Sequence, residues 1–154
     1  MLRLSKKADY ALIALRHLAV RPDASGSSSA REIAETYDIP LELLAKVLQR
    51  LVRARLLVSV QGTRGGYRLG RPPHAIPVAD VIQAVDGPVT VTACSADDHR
   101  CGQYSKCSIR DPLWKIRERI LEALTTVTVA ELAADEVAVP EPEPSRTSRM
   151  HFLT

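Results

Sequence analysis

The chain has 154 residues, of which 45% are hydrophobic and only 4% aromatic, and its formal net charge is +3. That length suits one domain with an arm or a tail, and its core must consist mainly of aliphatic side chains. No stretch approaches the roughly 18 consecutive apolar residues of a membrane span, and the start does not resemble a signal peptide. We therefore expect a soluble, cytoplasmic protein.

Positive charge is concentrated in the first part of the chain. Residues 1–93 contain 13 lysines and arginines against 8 acidic residues, whereas residues 94–154 contain 8 against 10. A basic surface favours a polyanion such as nucleic acid. An ordinary solvated surface produces the same imbalance, so charge alone leaves both interpretations open.

Three helices are predicted in the N-terminal region. Apolar residues recur at helical spacing from Leu4 to Val20, and Ser29-Ala-Arg-Glu32 is a capping box that opens a second helix. Pro40 suits the first turn of a third helix, which runs to about Arg55 and is basic on its outer face. Two short helices joined by a tight turn in this way are typical of a helix-turn-helix.

A β-hairpin is predicted directly after the third helix. The β-type run from Leu56 to Val60, the glycine-rich turn at 62–66 and the returning strand at 67–69 form a wing. Arg64 lies among the glycines of the tip, where a guanidinium enters a DNA minor groove. The alternatives are an unrelated hairpin on a helical core and, less favoured, a phosphate-binding loop, whose patterns the turn does not match.

The predicted DNA contacts follow from these elements. Lys46, Gln49 and Arg50 are candidates for groove contacts, and Leu41 and Glu42 for base edges at the start of the reading helix. The remaining candidates are basic: Arg64 for the minor groove, and Arg3, Lys6 and Lys7 for phosphates.

All three cysteines, Cys94, Cys101 and Cys107, fall within fourteen residues. Thiolates are soft ligands that select zinc, copper(I) or iron–sulfur clusters, so the segment is a candidate metal site. Its spacing is wider than the tight C-x₂-C pairs of structural zinc. Redox-active thiols and an absence of function remain alternatives, and a disulfide is less favoured because three is an odd number.

A short amphipathic helix is predicted over residues 78–85 and a long one from Asp111 and Pro112 onward. The long helix carries an apolar stripe made of Leu113, Ile116, Ile120 and Leu124, widened by Trp114 and Leu121. Such a stripe needs a partner surface, which is a second copy of the chain or, alternatively, its own domain. From residue 135 the composition, rich in proline and charge, predicts a flexible tail.

The predicted fold is therefore mainly α with a small β-wing: a winged helix-turn-helix plus a long C-terminal dimerisation helix. We assign residues 1–88 to the DNA-binding domain, 89–110 to the cysteine segment, 111–134 to the dimerisation helix and following segment, and 135–154 to the tail. We do not expect an enzyme, because the sequence offers no nucleophile–base pair. Its histidines are scattered, at His17, His74, His99 and His151.

The sequence resembles the Rrf-type family of winged-helix regulators, which includes regulators of Isc and Suf iron–sulfur cluster assembly and a nitric-oxide-sensing repressor. The resemblance covers about residues 1–132. It rests on the stretches 2–11 (LRLSKKADYA), 60–69 (VQGTRGGYRL) and 79–87 (ADVIQAVDG), and on the three cysteines followed by Trp114.

The resemblance implies a homodimer that binds a double-stranded DNA operator and holds a cluster on Cys94, Cys101 and Cys107. Isc-type regulators take a histidine as fourth ligand, three residues after the last cysteine, but Arg110 stands there and cannot ligate iron. The nitric-oxide-sensing branch uses an aspartate of the partner's first helix, which corresponds to Asp9. Asp9 is therefore the expected ligand and His99 its rival, for a 4Fe–4S cluster or, alternatively, a 2Fe–2S cluster.

The function expected from these features is an iron–sulfur-sensing transcriptional regulator, closest to the Suf-type regulators of cluster assembly. The alternatives are a nitric-oxide- or iron-responsive repressor of the same fold and a metal-free thiol switch. We expect neither a membrane nor a small-molecule substrate as a partner.

Overall fold

The structure, a computed structural model, describes residues 3–21, 26–63, 65–91 and 101–134. Within them the helices and strands follow in this order: α1 Lys6–Val20, α2 Ala30–Thr36, α3 Leu41–Arg53, β1 Leu57–Val60, β2 Gly66–Leu69, α4 Val78–Asp86, α5 Arg110–Thr126 and α6 Val129–Ala134. Two 3₁₀ turns, Pro73–Ala75 and Tyr104–Lys106, lie between them. This is the mainly helical fold with a small two-stranded antiparallel sheet that the sequence predicts.

Four features predicted from the sequence lie outside the described residues: Arg64 at the tip of the wing, Cys94, His99 and the tail from residue 135. The two other cysteines and the remaining candidate DNA contacts are described. No helix in the described part of the chain is long and apolar enough to cross a membrane.

The first helix begins two residues later than the periodicity suggested. Ser5 has extended backbone and its hydroxyl accepts a hydrogen bond from the Ala8 amide at 3.1 Å, so it caps a helix that starts at Lys6. The buried face of α1 is made mostly of small residues, Ala8, Ala11 and Ala14, with Leu15 and Leu18. Small side chains let α3, α4 and α6 all pack closely against this helix.

The helix-turn-helix is set by local hydrogen bonds. The Ser29 hydroxyl accepts from the Glu32 amide at 3.1 Å, as the capping box predicts. Asp38, with φ at 52°, turns the chain, and Ile39 then enters the core. The face of α3 turned toward the core carries four buried residues: Leu44, Val47, Leu48 and Leu51.

The third helix ends at Arg53, two residues before the predicted end. Arg55 adopts a left-handed conformation, with φ at 60°, and the Leu56 amide reaches back to the Leu51 carbonyl at 3.0 Å. This is the geometry of a Schellman-type helix end, a position usually taken by glycine. An L-residue is strained there, because its Cβ crowds the following carbonyl.

Replacing Arg55 by glycine is therefore expected to raise the free energy of unfolding by about 0.5–1 kcal/mol, the relief of left-handed strain less the entropy that glycine loses on folding. The matched control is Gln49→Gly, at an exposed position inside α3, which should lower stability by about 1 kcal/mol. Urea denaturation of the two variants measures both changes. Equal destabilisation by the two substitutions would contradict the strain at Arg55.

The wing is joined to the loop between α1 and α2. Strands β1 and β2 pair antiparallel, with Leu57 opposite Leu69 and Val60 opposite Gly66. The Ser28 amide donates to the Tyr67 carbonyl at 3.0 Å, and the Tyr67 amide donates to the Ser28 carbonyl at 2.8 Å. A Cβ at Gly66 would stand 2.3 Å from the Ser28 carbonyl oxygen. Only glycine lets the two backbones approach this closely.

The C-terminal elements return to the first helix. The Val78 amide donates to the Val127 carbonyl and the Val129 amide to the Ile76 carbonyl, each at 2.9 Å. Helix α6 then packs on α1, where the Arg16 Nε donates to the Leu132 carbonyl at 2.8 Å. This helix was not predicted, although the sequence Thr-Val-Ala-Glu at 128–131 is a capping-box pattern that marks its start.

Candidate functional site

The outer face of α3 carries exposed side chains of mixed character. Leu41 and Leu43 are 39% and 47% exposed although both are large and apolar. Glu42, Lys46 and Gln49 are also exposed, on the side opposite the buried leucines. We call Leu41, Glu42, Lys46 and Gln49 the reading surface, because a second helix of a helix-turn-helix presents this face to the major groove.

The positive side chains at the start of α1 are exposed as well. Arg3, Lys6 and Lys7 all lie on the surface, and the Lys6 Nζ is 3.5 Å from an Asp9 carboxylate oxygen. The lysine side chain of this pair is 81% exposed. Ion pairs exposed to this extent contribute little to stability. The lysine charge therefore remains suited to a phosphate partner.

Arg50 was grouped with Lys46 and Gln49 by the sequence, but the structure gives one of its nitrogens a different partner. Its Nη1 donates to the Val85 carbonyl, near the end of α4, at 2.5 Å. The side chain therefore reaches away from the reading surface, toward the helix that precedes the cysteines. Helical periodicity did not indicate this contact, since the two residues are 35 positions apart.

A polar cluster joins the helix-turn-helix to the wing. His17 Nδ1 lies 3.1 Å from the Tyr37 hydroxyl, and its Nε2 lies 3.0 Å from the hydroxyl of Ser28, which is buried. The Arg21 Nη1 donates both to the Ser28 hydroxyl and to a Glu32 carboxylate oxygen. The cluster thus connects α1 and α2 to the serine that pairs with the wing. The sequence alone shows His17 only as one of four scattered histidines.

Burial and the nearby Arg21 charge lower the pKa of His17, whereas the Glu32 carboxylate opposes them weakly. A histidine with a lowered folded-state pKa resists protonation that the unfolded chain accepts. Stability contributed by neutral His17 is therefore present above its unfolded pKa of 6.5 and is lost as pH falls below that value.

We expect urea denaturation midpoints to fall between pH 7.5 and pH 5.5, and to fall less in a His17→Gln variant. The exposed His74, changed to Gln in the same way, is the control and should retain the wild-type fall. Glu32 does not interfere in this range, because Arg21 lowers the pKa of its carboxyl below 4.5. An equal fall in wild type and His17→Gln would exclude His17 as its source.

Cys101 and Cys107 flank a short 3₁₀ turn ahead of α5. Both thiols are free and partly exposed. The Tyr104 amide donates to the Cys101 carbonyl at 3.1 Å, which begins the turn, and Tyr104–Lys106 completes it. A compact turn that keeps two thiols accessible is suited to a thiophilic metal or to redox chemistry.

Arg110 fastens this turn to α5, which begins at Arg110 rather than at the predicted Asp111. Its Nη1 donates to the Tyr104 carbonyl at 3.3 Å, its guanidinium lies 4.9 Å from the Tyr104 ring centroid, and its Nε donates to Asp111 at 3.1 Å. The hydrogen bond and charge of Asp111 raise the pKa of Arg110. Arg110 thus places a fixed positive charge on the turn that lies between the two cysteines.

Among the described residues, no three histidine, cysteine or acidic side chains form a group able to hold a metal ion. Asp9 of the same chain therefore does not join Cys101 and Cys107. Cys94 and His99 lie outside the described residues. The chemistry of the described donors, two free thiols beside a cationic Arg110, nevertheless fits an anionic iron–sulfur cluster.

Helix α5 is only partly covered by its own domain. It packs on α4, and Leu124, in its C-terminal half, contacts the core. Its N-terminal half carries Trp114 and Ile116, which are 37% and 46% exposed, and Ile109 just before it is 58% exposed. The C-terminal end of the predicted apolar stripe therefore packs against its own domain, whereas the N-terminal end lies at the surface.

Comparison with known proteins identifies similar chains along almost the whole length. Residues 4–135 match the family profile described as Rrf2, iron-dependent transcriptional regulator. The HTH-type transcriptional regulator IscR of Sodalis glossinidius (strain morsitans) is 36% identical over 136 residues, which cover 88% of this chain and 81% of that protein.

Solved structures of similar fold include two regulators. CymR (YrzC), the global cysteine regulator of B. subtilis, superposes with a TM-score of 0.70 and 30% identity, over 86% of this chain and 97% of that one. IscR of T. potens superposes with a TM-score of 0.65 and 29% identity, over 85% of each chain. These similarities confirm the predicted winged-helix fold and the predicted family resemblance.

Proposed function

Because the chain belongs to the Rrf2 family of transcriptional regulators, which are not enzymes, we propose that an iron–sulfur cluster controls its binding to a DNA operator. The observation that carries this proposal is the pair of free thiols at Cys101 and Cys107. They lie on a turn that Arg110, the first residue of α5, holds by a hydrogen bond. The helix that precedes this turn along the chain is α4, which packs on α1 and α3.

The reading surface enters the major groove in this proposal. Lys46 and Gln49 donate to base edges or phosphates, Glu42 accepts from an exocyclic amine, and Leu41 contacts a thymine methyl. Arg50 borders this surface, but its Nη1 is bound to the Val85 carbonyl, and we assign it no DNA contact. At the start of α1, Arg3, Lys6 and Lys7 bind phosphates, and Arg64 enters the minor groove.

The proposed ligands are Cys94, Cys101, Cys107 and Asp9 of the partner subunit, with His99 as the rival fourth ligand. Asp9 at 39% side-chain exposure is accessible to another chain, and its own chain does not bring it to the two described cysteines. These ligands favour a 4Fe–4S cluster over a 2Fe–2S cluster. When bound, the cluster would supply sensitivity to oxidants, nitric oxide or iron supply. The residues of this chain would then adopt a different conformation with the cluster than without it.

A homodimer is proposed on the exposed half of α5. Trp114, Ile116 and the preceding Ile109 form an apolar surface that a second copy would cover by symmetry. Two reading surfaces then contact half-sites about 34 Å apart, so a small change in subunit geometry changes operator affinity.

The proposed targets are genes for Suf-type cluster assembly. The proposed location of the protein is the cytoplasm, where it reaches those genes. A nitric-oxide- or iron-responsive repressor of the same fold has the same site, and only cluster reactivity and target genes separate the two. A metal-free thiol switch is the second candidate function, favoured by the free and partly exposed thiols of Cys101 and Cys107.

The test is an anaerobic purification of wild-type protein, followed by visible absorption and by iron and sulfide analysis. A duplex selected from random sequences by the same protein then serves as the operator. We expect a brown, iron- and sulfide-containing protein whose operator affinity changes when the cluster is removed. A colourless protein whose affinity responds to dithiothreitol would replace the cluster with a thiol switch, and a protein without operator affinity would refute the DNA-binding assignment.

A further inference from the structure

The C-terminal end of α4 is bound by side chains from both DNA-binding elements. The Arg50 Nη1, on the recognition helix α3, donates to the Val85 carbonyl at 2.5 Å. The Ser5 hydroxyl, which caps α1 beside the basic cluster, donates to an Asp86 carboxylate oxygen at 2.5 Å. Two adjacent residues of α4 therefore hold the start of α1 and the middle of α3 together.

This end of α4 is also the point at which the chain leaves for the cysteines. Gly87, with φ at 85°, ends the helix, and its amide donates to the Gln83 carbonyl at 3.0 Å. Farther along the chain, residues 101–109 lead into α5, which packs on α4. The two helices that flank the cysteine segment along the chain thus contact each other.

Two clefts flank the C-terminal end of α4. On one side an open cleft of about 560 Å³ is lined by Arg50, Arg53 and residues 83–87. On the other side a mainly apolar cleft of about 460 Å³ is lined by Leu4, Ile82, residues 86–90 and two residues of α5. Ile82 and Val85 pack α4 into the core, and beside the two clefts the polar contacts of Val85 and Asp86 are what join this helix end to α3 and α1.

The Arg50 contact depends on where α4 ends. The Val85 carbonyl is among the last four of the helix, which lack intrahelical partners, and this end of the helix dipole is negative. A guanidinium is therefore attracted to it, and the attraction is lost when the helix end shifts by more than hydrogen-bond range.

We propose that Arg50 is a positioning residue that transmits the state of the cysteine segment to the recognition helix through the Val85 carbonyl. The inference rests on the proposed cluster-controlled operator binding. Substitution of Arg50 distinguishes this role from a DNA contact. Loss of a DNA contact weakens operator binding by both the cluster-loaded and the cluster-free protein, whereas loss of the Val85 connection makes their operator affinities alike.

The experiment measures operator affinity by fluorescence anisotropy under nitrogen, with the selected duplex, for cluster-loaded and cluster-free protein. In wild type we expect the two dissociation constants to differ by at least about fivefold, the lower range of allosteric coupling. In Arg50→Met, which keeps the aliphatic stem and removes the donors, we expect them to agree within about twofold. Arg50→Lys, which keeps one charged donor, should restore an intermediate ratio.

The matched control is Lys46→Met, one helical turn earlier on α3. It should weaken both states in parallel and leave the wild-type ratio intact, as expected for a residue that contacts DNA. The Arg50 inference is overturned if Arg50→Met weakens both states and keeps the wild-type ratio, or if Arg50→Lys restores nothing while Arg50→Met remains folded by circular dichroism.

Wild-type protein alone tests the proposed function in the same experiment. A wild type that contains no cluster, or whose two states bind equally, refutes the proposed cluster control and with it the inference. If both Arg50 variants keep the wild-type ratio of the two dissociation constants, only the inference about Arg50 is refuted.

Discussion

A Gly66→Ala variant is expected to lose about 2–3 kcal/mol of stability and at least about tenfold in operator affinity. The added Cβ would stand 2.3 Å from the Ser28 carbonyl oxygen and 2.8 Å from the Ser29 amide nitrogen. Neither is a flexible side-chain atom, so the wing or the α1–α2 loop must move, and overpacking of this kind costs about 1–3 kcal/mol. The paired hydrogen bonds between Ser28 and Tyr67 weaken as well.

Operator affinity falls in that variant because a displaced wing takes its contacts away from DNA, and each contact is worth about 1–3 kcal/mol. The matched control is Gly102→Ala, since a Cβ at Gly102 meets no atom within 4 Å. Urea denaturation gives the stability and fluorescence anisotropy the affinity. Wild-type affinity in a stable Gly66→Ala variant would show that the wing does not contact the operator.

Cys101→Ser and Cys107→Ser variants are each expected to purify without cluster iron. A serine hydroxyl remains protonated at neutral pH and does not replace a thiolate toward iron. The loss in metal affinity should exceed the 10–100-fold that changes in outer-shell partners already cause. Iron analysis and visible absorption measure the effect. A full complement of iron in either variant would remove that cysteine from the ligand set.

The origin of the fourth ligand can be tested by mixing subunits. Asp9→Ala is expected to reduce cluster content, whereas Asp80→Ala, at an exposed carboxylate on α4, serves as the control. A heterodimer of Asp9→Ala and Cys107→Ser subunits keeps one complete site only if Asp9 acts across the interface. Recovery of cluster iron in the mixture supports a ligand from the partner subunit. Unchanged iron in Asp9→Ala would transfer the role to His99 or to an external molecule.

Much of the fold could be predicted because local signals were strong and agreed with each other. The Ser29 capping box begins its helix as expected, and the buried leucines of α3 follow its helical period. The glycine-rich turn between two β-type runs correctly predicted the wing. These features depend on interactions within a few residues, which a sequence displays directly.

Errors occurred where the local signal was weak or was misread. The end of α3 was placed two residues late, because a left-handed arginine at Arg55 takes a position where glycine is the usual marker. Helix α6 was missed although Thr128 and Glu131 form a capping pattern, because its six residues are too few for a clear hydrophobic period.

The composition and the order of motifs therefore determined the fold class, the position of the wing and the grouping of cysteines ahead of a long helix. Tertiary structure alone decided which distant residues meet: Gly66 against Ser28, His17 against Tyr37 and Ser28, and Arg50 against Val85. Local patterns act through neighbours three or four positions apart, whereas these contacts join residues from 11 to 38 positions apart that packing of the helices brings together.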